Sequence, residues 1–245
     1  MRSRQKPQNG WAGFRQRLNP VSQTRRPIMF NVHPFVRGCV AIFLVSMSVA
    51  VSAQGGDAIC GNPFQNAYGP FDYRTATAKT RKLVEDYHFT PRVEALRGGH
   101  TSSRAVGDLE YTLNVFPNHH RALMSMMKLA LREGKGRPDG AAISIACRFD
   151  RAERFSPDDA MVKVINGLYL IQIGKAAEAV SKLEQARELD SNNPNVHYNL
   201  GLAYFDLREY DEALKSAHLA YAQGFPLPGL RDKLKRIGKW RDAGK

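Results

Sequence analysis

A pattern of small residues recurs with a fixed period in the second half of the chain. The pairs that share this 34-residue separation are Gly167 and Gly201, Ala179 and Ala213, and Ala186 and Ala220. Small residues kept at one period indicate an internal repeat, because such a unit cannot bury its apolar face alone and must stack on its neighbours. The period therefore restricts this stretch to an array of packed units.

Each unit divides into two halves with helical periodicity. Apolar residues recur at spacings of three and four on both sides of Gly174, and the polar run from Asp190 to Asn193 separates one unit from the next. Small residues such as Gly201 and Ala213 allow two helix backbones to approach closely, since a larger side chain would hold them apart. The unit is therefore predicted to be a helical hairpin.

The segment PNVHYNLGLAYFDLREYDEALKSAHLAYAQGFP, residues 194–226, resembles a tetratricopeptide repeat. Its residues at the signature positions are Leu200, Gly201, Tyr204, Ala213 and Ala220. The preceding unit resembles the same repeat, with Leu170 in place of the Tyr and Asn166 in place of the Leu. A weaker copy lies upstream, where Pro117 and Pro157 are 40 residues apart and about six residues are inserted around 134–140.

The resemblance implies an all-α fold: a short right-handed superhelix of tetratricopeptide-type helix hairpins, with an irregular N-terminal segment and a C-terminal capping helix. We expect a signal peptide over 1–53, an irregular aromatic-rich lead-in with short helices over 54–107, repeats over 108–225 and the capping helix over 226–245. The repeats are clearest over 160–193 and 194–227 and weaker over 118–159. The expected cap carries an apolar stripe of Leu230, Leu234, Ile237 and Trp240.

The basic excess of the chain belongs mainly to its first residues. The net charge is +13, but residues 1–53 hold eight basic and no acidic residues, which leaves 28 basic against 23 acidic ones in the remainder. The apolar run from Cys39 to Val51, followed by Ser52 and Ala53, predicts a secretory signal cleaved after Ala53. Its 13 residues are fewer than the roughly 20 that span a bilayer.

We therefore expect a periplasmic or secreted protein that contacts a membrane only through the signal peptide before cleavage. An uncleaved anchor is the alternative, and translation from either Met1 or Met29 fits the sequence. Cleavage would leave Cys60 and Cys147, and an even pair in an oxidising compartment predicts a disulfide. The alternative is two unpaired thiols, with Cys147 a small apolar residue on a helix.

The sequence carries no recognisable catalytic constellation. His119 and His120 are adjacent, so on a helix they point about 100° apart and do not build a shared metal face. The sequence has no HExxH, no nucleophile elbow and no CxxC. We therefore expect no enzyme, no catalytic residue, no metal and no cofactor, and the modest charge of the remainder predicts no nucleic-acid partner.

Tetratricopeptide repeats commonly bind a peptide or protein on their inner wall, and the resemblance implies the same role here. The partner-binding residues it implies are Arg121, Met124, Lys128, Met161, Val164, Leu168, Ile171, Asn195, Tyr198, Leu202 and Phe205. This wall is expected to be apolar in its middle, with a basic rim at its start. The alternative for the same residues is burial by the chain itself, through the aromatic stretch from Phe64 to Tyr73 or through Trp240.

Two other functions stay open. The chain outside the repeats resembles a small exported bacterial family without assigned activity, so an accessory or catalytic subunit of a cell-envelope polymer pathway is one alternative. Its site would be a polar pocket formed by Tyr68 to Tyr73 with His119 and His120. The other is binding to a membrane surface through the basic C-terminal helix.

Overall fold

The computed structural model describes residues 60–243, and the expected leader over residues 1–53 lies outside this range. The described part is helical and contains no strand, which confirms the all-α prediction. None of its helices is both long and apolar enough to cross a bilayer. In chain order the helices are α1 (Ala78–His88), α2 (Pro91–Glu94), α3 (Ala105–Val115), α4 (His120–Glu133), α5 (Ile145–Phe155), α6 (Ala160–Gln172), α7 (Ala176–Leu189), α8 (Pro194–Asp206), α9 (Tyr210–Ala222) and α10 (Gly229–Arg236).

The first helix of each hairpin begins after a capping side chain at an equivalent position. Asp159 accepts hydrogen bonds from the backbone N–H groups of Met161 and Val162, and Asn193 accepts one from Asn195. His119 does the same for α4 through its ring nitrogen Nδ1. The first N–H groups of a helix have no partner within the helix, so these caps fix where α4, α6 and α8 start.

The small residues of the repeat lie where helices meet. A Cβ atom at Gly167 would stand 2.6 Å from Leu183 Cγ, and one at Gly201 would stand 2.4 Å from Leu230 Cδ2. Both distances are too short for a carbon–carbon contact, so a larger residue at either position would force the buried Leu183 or Leu230 side chain to shift. The alanines that share the 34-residue period, Ala179, Ala186, Ala213 and Ala220, are all fully buried.

The upstream copy differs from the other two in the connection between its helices. Helix α4 ends at Gly134, which takes the left-handed conformation at φ 65° that glycine adopts without strain. A loop then runs to Ser144, whose side chain caps α5 by accepting from the Cys147 N–H. The longer connection accounts for the 40-residue spacing seen between Pro117 and Pro157.

The hairpins form two rows of helices. Helices α4, α6 and α8 pack against one another in chain order, whereas α5, α7 and α9 pack mainly on their own partners and on the next first helix. Helices converge on the inner side of a curved stack, so α4, α6 and α8 form the inner row. Helix α10 packs on both α8 and α9 at the end of the stack.

Only part of the expected apolar stripe of the C-terminal cap is buried. Leu230 and Leu234 are fully buried against α8 and α9, but Ile237 is exposed. Helix α10 ends at Arg236, so Ile237 falls outside it and does not continue the stripe. Trp240 contacts the rings of His218 and Tyr221 on α9, at centroid distances of 5.1 and 6.1 Å.

Residues 60–76, which we name the strap, run along α5 to the edge where α3 and α5 end and α4 and α6 begin. Phe64 packs its ring 5.8 Å from that of Phe155 at the end of α5. Further along, the Phe71 N–H donates to the Val115 carbonyl at 2.8 Å. The aromatic residues of the strap therefore cover the ends of the outer helices.

Candidate functional site

The inner row is the surface on which the sequence placed a partner. Among the eleven residues implied for binding, Arg121 is exposed, and Lys128, Met161, Asn195 and Phe205 are half-buried. The other six are buried, and they are Met124, Val164, Leu168, Ile171, Tyr198 and Leu202. The wall is apolar at these six positions, but their side chains are buried in the packing of the chain itself and are not open to a partner.

The chain covers the end of its own inner row, although with other residues than expected. The Phe225 ring stacks on Tyr198 at 4.0 Å between centroids, and Leu202 joins one apolar cluster with Leu230 of α10. The strap aromatics and Trp240 lie on other surfaces of the stack, as described above. The 225–236 segment therefore covers the α8 end of the inner row.

The beginning of the inner row is basic, and the 89–96 segment contacts part of it. Arg121, Lys128 and Arg132 lie seven and four residues apart on α4, so they share one face, which we name the α4 basic stripe. Arg121 donates through Nε to Glu94 Oε1 at 2.8 Å, and this ion pair raises the pKa of the arginine. Burial lowers the pKa of Lys128, while the negative charge of Glu94 opposes that shift.

The far end of the inner row is partly neutralised. Lys233 of α10 places its Nζ atom 4.7 Å from the centre of the Phe205 ring and 3.8 Å from Asp206 Oδ1. A cation over an aromatic face is attracted by the ring quadrupole, so Lys233 shields Phe205 from a partner. The accessible inner surface is thus concentrated on α4.

A polar cluster joins the strap to the beginnings of α4 and α6. Asn118 is its buried centre: the amide nitrogen donates to Asp72 at 2.8 Å and to Asp159 at 3.0 Å, and its oxygen accepts the Tyr73 N–H at 2.9 Å. Burial opposes ionisation of Asp159, yet the hydrogen bonds from His120 and Asn118 hold its pKa below the usual value. Arg74 contributes a further positive charge, and its Nη2 lies 2.9 Å from Asp158.

His119 lies beside this cluster in a fixed tautomer. Its Nδ1 accepts the Ala122 N–H at 3.1 Å, so the proton sits on Nε2, which donates to Glu85 at 3.2 Å. The hydrogen bond from His119, together with one from the Tyr73 hydroxyl at 2.7 Å, lowers the pKa of Glu85 to about 2 despite partial burial. Burial lowers the pKa of His119, and Glu85 only partly compensates.

These polar residues brace the fold and do not form the pocket considered from the sequence. His119 is fully buried, and His120 donates through Nε2 to the Asp159 carboxylate at 2.8 Å. Tyr73 stacks on His119 with 4.0 Å between ring centroids, which leaves no space for a substrate between them. Tyr68 points to a different cleft, described below. Within residues 60–243 no group of three or more metal-ligating side chains converges.

The strap is also held by a covalent bond. Cys60 and Cys147 form a disulfide with a Cα–Cα distance of 5.0 Å. Arg154 donates to the Gly61 carbonyl at 2.6 Å, and Arg151 donates to the Cys60 carbonyl at 3.3 Å. The bond therefore anchors the first described residue to α5, 87 positions further along the chain.

Two clefts in the described part were not foreseen from the sequence. One, of about 360 Å³, is lined by charged and polar residues of α5, α6 and α7, where Glu153 already accepts from Asn166 at 2.7 Å and from Lys182 at 2.6 Å. The other, of about 260 Å³, is lined by tyrosines from the strap, α1 and α3. The spacing of Leu83 and Tyr87 along one face of α1 was the sequence signal for the second cleft.

Comparison with known proteins identifies the repeats. The family model described as TPR repeat matches residues 167–208, from within α6 to the end of α8. The tetratricopeptide resemblance is therefore confirmed there, in the part of the chain where the 34-residue period is clearest. The expected exported bacterial family stays a prediction.

Three known proteins illustrate the similarity. The human protein O-mannosyl-transferase TMTC3 is 28% identical over 106 residues, which are 43% of this chain but only 11% of that protein. The first TPR domain of human RPAP3 has a TM-score of 0.42 and 20% identity, covering 50% of this chain and 92% of the domain. A mutant of MamA has a TM-score of 0.42 and 22% identity, covering 66% of this chain and 91% of that one.

Proposed function

We propose, on the premise that the paired helices of this chain are tetratricopeptide repeats, that it is an exported interaction module binding a segment of a partner protein on its inner helix row. The observation that carries the proposal is the α4 basic stripe, because Arg121 and Arg132 stay exposed although the 89–96 segment contacts them. Repeats of this kind typically bind proteins or peptides and typically carry no catalytic residues.

The charge of the stripe favours a partner segment with carboxylates. Glu94 pairs with Arg121, while Arg132 donates only to the Leu96 carbonyl at 3.3 Å within the described chain. Arginine binds a carboxylate with two parallel hydrogen bonds, so Arg132 can orient such a segment along α4. Opposite charges also speed the encounter of the two proteins.

The proposed location is the periplasm or the extracellular space. Two observations support it: the basic and apolar leader of the sequence, and the disulfide between Cys60 and Cys147, a bond that persists in oxidising compartments. Cell fractionation of the tagged chain, with alkylation of free thiols before lysis, tests this location. Recovery in the cytoplasm with both cysteines alkylated would contradict it.

The binding proposal is tested by charge reversal on the inner row. A Lys128→Glu, Arg132→Glu double variant is compared with a Lys175→Glu, Lys215→Glu double variant, whose lysines lie at the outer helices and pair with Glu178 and Glu212. Each protein is immobilised, incubated with a cell-envelope extract, and the captured proteins are quantified by mass spectrometry.

We expect a partner captured by the wild type and by the outer variant to be lost with the inner variant. Circular dichroism of all three proteins checks that they are folded alike. Equal recovery by all three proteins would refute the inner-row site. Equal loss with both variants would show that net charge, and not the α4 basic stripe, drives the binding.

A further inference from the structure

A cleft of about 260 Å³ lies apart from the inner row, between the strap, α1 and α3. Its lining residues are Tyr68, Leu83, Val84, Tyr87, His88 and Tyr111. Four of these large side chains are unusually exposed to solvent: Tyr87 is 56% exposed, Leu83 50%, Tyr111 40% and Tyr68 37%. A concentration of exposed aromatic side chains around one cleft marks a binding site more often than scattered single residues do.

His88 is held in a defined orientation within this lining. Its Nδ1 lies 3.0 Å from Asp108 Oδ1, and the Tyr111 ring stacks on the imidazole at 3.7 Å between centroids. Asp108 is fully buried, and Thr101, Ser102 and the His100 N–H also donate to its carboxylate. Because an ionised carboxylate only accepts, the proton of His88 sits on Nδ1.

This tautomer leaves Nε2 of His88 as a hydrogen-bond acceptor. Within residues 60–243 Nε2 has no hydrogen-bond partner. Burial opposes the charge of Asp108, but the hydrogen bonds from Thr101 and the His100 N–H keep its pKa well below the usual value, so the carboxylate that orients the ring stays ionised. The cleft therefore offers one fixed acceptor beside three tyrosine rings.

These features discriminate between ligand classes. The lining has no Asp, Glu, Lys or Arg side chain, which disfavours a charged ligand because no countercharge would compensate its desolvation. A polyproline segment packs on aromatic rings but has no N–H or O–H group to donate to Nε2 of His88. A sugar ring has an apolar face that packs on a tyrosine and hydroxyls that donate to the imidazole and exchange hydrogen bonds with the phenols.

We propose that the tyrosine cleft binds a neutral saccharide chain, with a hexose ring stacked on Tyr87 and a sugar hydroxyl donating to Nε2 of His88. The site is separate from the α4 basic stripe and does not depend on the function proposed for it. A protein with both sites would attach a partner protein to a glycan.

The test uses the full chain and three defined probes: cellohexaose, maltohexaose and the β-1,4-linked hexamer of N-acetylglucosamine. Binding is measured by isothermal titration calorimetry and by saturation-transfer NMR, in which the sugar C–H protons that face tyrosine should receive the magnetisation. We expect at least one probe to bind. Tyr87→Ala should weaken that binding about tenfold, equivalent to about 1.4 kcal/mol, whereas Tyr87→Phe should retain it, because the ring remains.

Tyr210→Ala is the matched control, since Tyr210 is a half-buried tyrosine on α9 away from the cleft. It should bind as the wild type does, and thermal unfolding by circular dichroism should show that all variants are folded. A ten-residue polyproline peptide serves as the competing probe. Binding of the peptide but of no saccharide would overturn the proposal in favour of a peptide site, and failure of all three saccharides to bind would overturn it outright. So would a Tyr87→Ala variant that binds as tightly as the wild type.

Discussion

The disulfide between Cys60 and Cys147 is predicted to be a large contribution to the stability of the chain. The perturbation is reduction of the bond, which changes no side chain other than the two cysteines. The bond closes a loop of 87 residues. In the chain-entropy description such a cross-link lowers the conformational entropy of the unfolded state, which raises the free energy of that state by about 4.6 kcal/mol at 25 °C.

That value is an upper limit, because the unfolded chain is already partly compact and the strap keeps its other contacts. Removal of a native disulfide typically costs about 2–5 kcal/mol. With a urea m value of about 2 kcal/mol per molar, we expect the unfolding midpoint to fall by about 1–2.5 M on reduction. The Cys60→Ala, Cys147→Ala double variant should shift by a similar amount.

The assay is urea unfolding followed by circular dichroism, with and without a reductant. Hydrogen exchange provides the local readout: the N–H groups of Phe71 and Tyr73, which donate to Val115 and Asn118, should exchange faster in the reduced protein. The double variant with added reductant is the control for effects of the reagent itself. Identical midpoints for the oxidised and reduced proteins would refute the assignment of the strap as a covalently anchored element.

Three further predictions concern the packing and the polar cluster. Gly201→Ala should lower the free energy of unfolding by about 1–3 kcal/mol despite the higher helix propensity of alanine, because the added Cβ would overlap Leu230. An unchanged thermal unfolding midpoint would contradict this. Asn118→Ala should lower the free energy of unfolding in urea by about 2–4 kcal/mol, because it leaves the buried Asp159 carboxylate with fewer hydrogen-bond donors. The control Asn192→Ala, on an exposed loop, should leave the free energy of unfolding unchanged. Burial lowers the pKa of His119 in the folded protein, so the unfolded chain binds this proton more readily. The free energy of unfolding should therefore fall as the pH drops below about 6.5, by up to about 1.4 kcal/mol per pH unit. A His119→Asn variant whose stability has the same pH dependence would refute this role.

The repeat was predictable because its signals are local. The glycine and alanine positions depend on contacts within a hairpin or with the next one, and the capping residues Asp159 and Asn193 precede their helices at the same 34-residue period. Helix pairing and its register follow from such short-range information. The family match over residues 167–208 lies where these signals are strongest.

The accessible surface was less predictable because it depends on distant segments. Tyr198 and Leu202 occupy inner-wall positions, but Phe225 and α10 cover them, and no periodicity within α8 indicates that. The tyrosine cleft joins Tyr68, Tyr87 and Tyr111, which come from three separate elements. Likewise, Asn118 gives no sign in the sequence that it connects the strap to two helices.

The disulfide of the strap can form only after a long part of the chain has been synthesised. Synthesis proceeds from the N-terminus, so the thiol of Cys60 exists for the time needed to make 87 more residues before Cys147 is present. Until then that thiol can meet only foreign partners or the upstream Cys39, and an early mixed disulfide would hold the strap away from α5. Closure of this ring must therefore wait until α5, which carries Cys147, has been made, and it requires an oxidant.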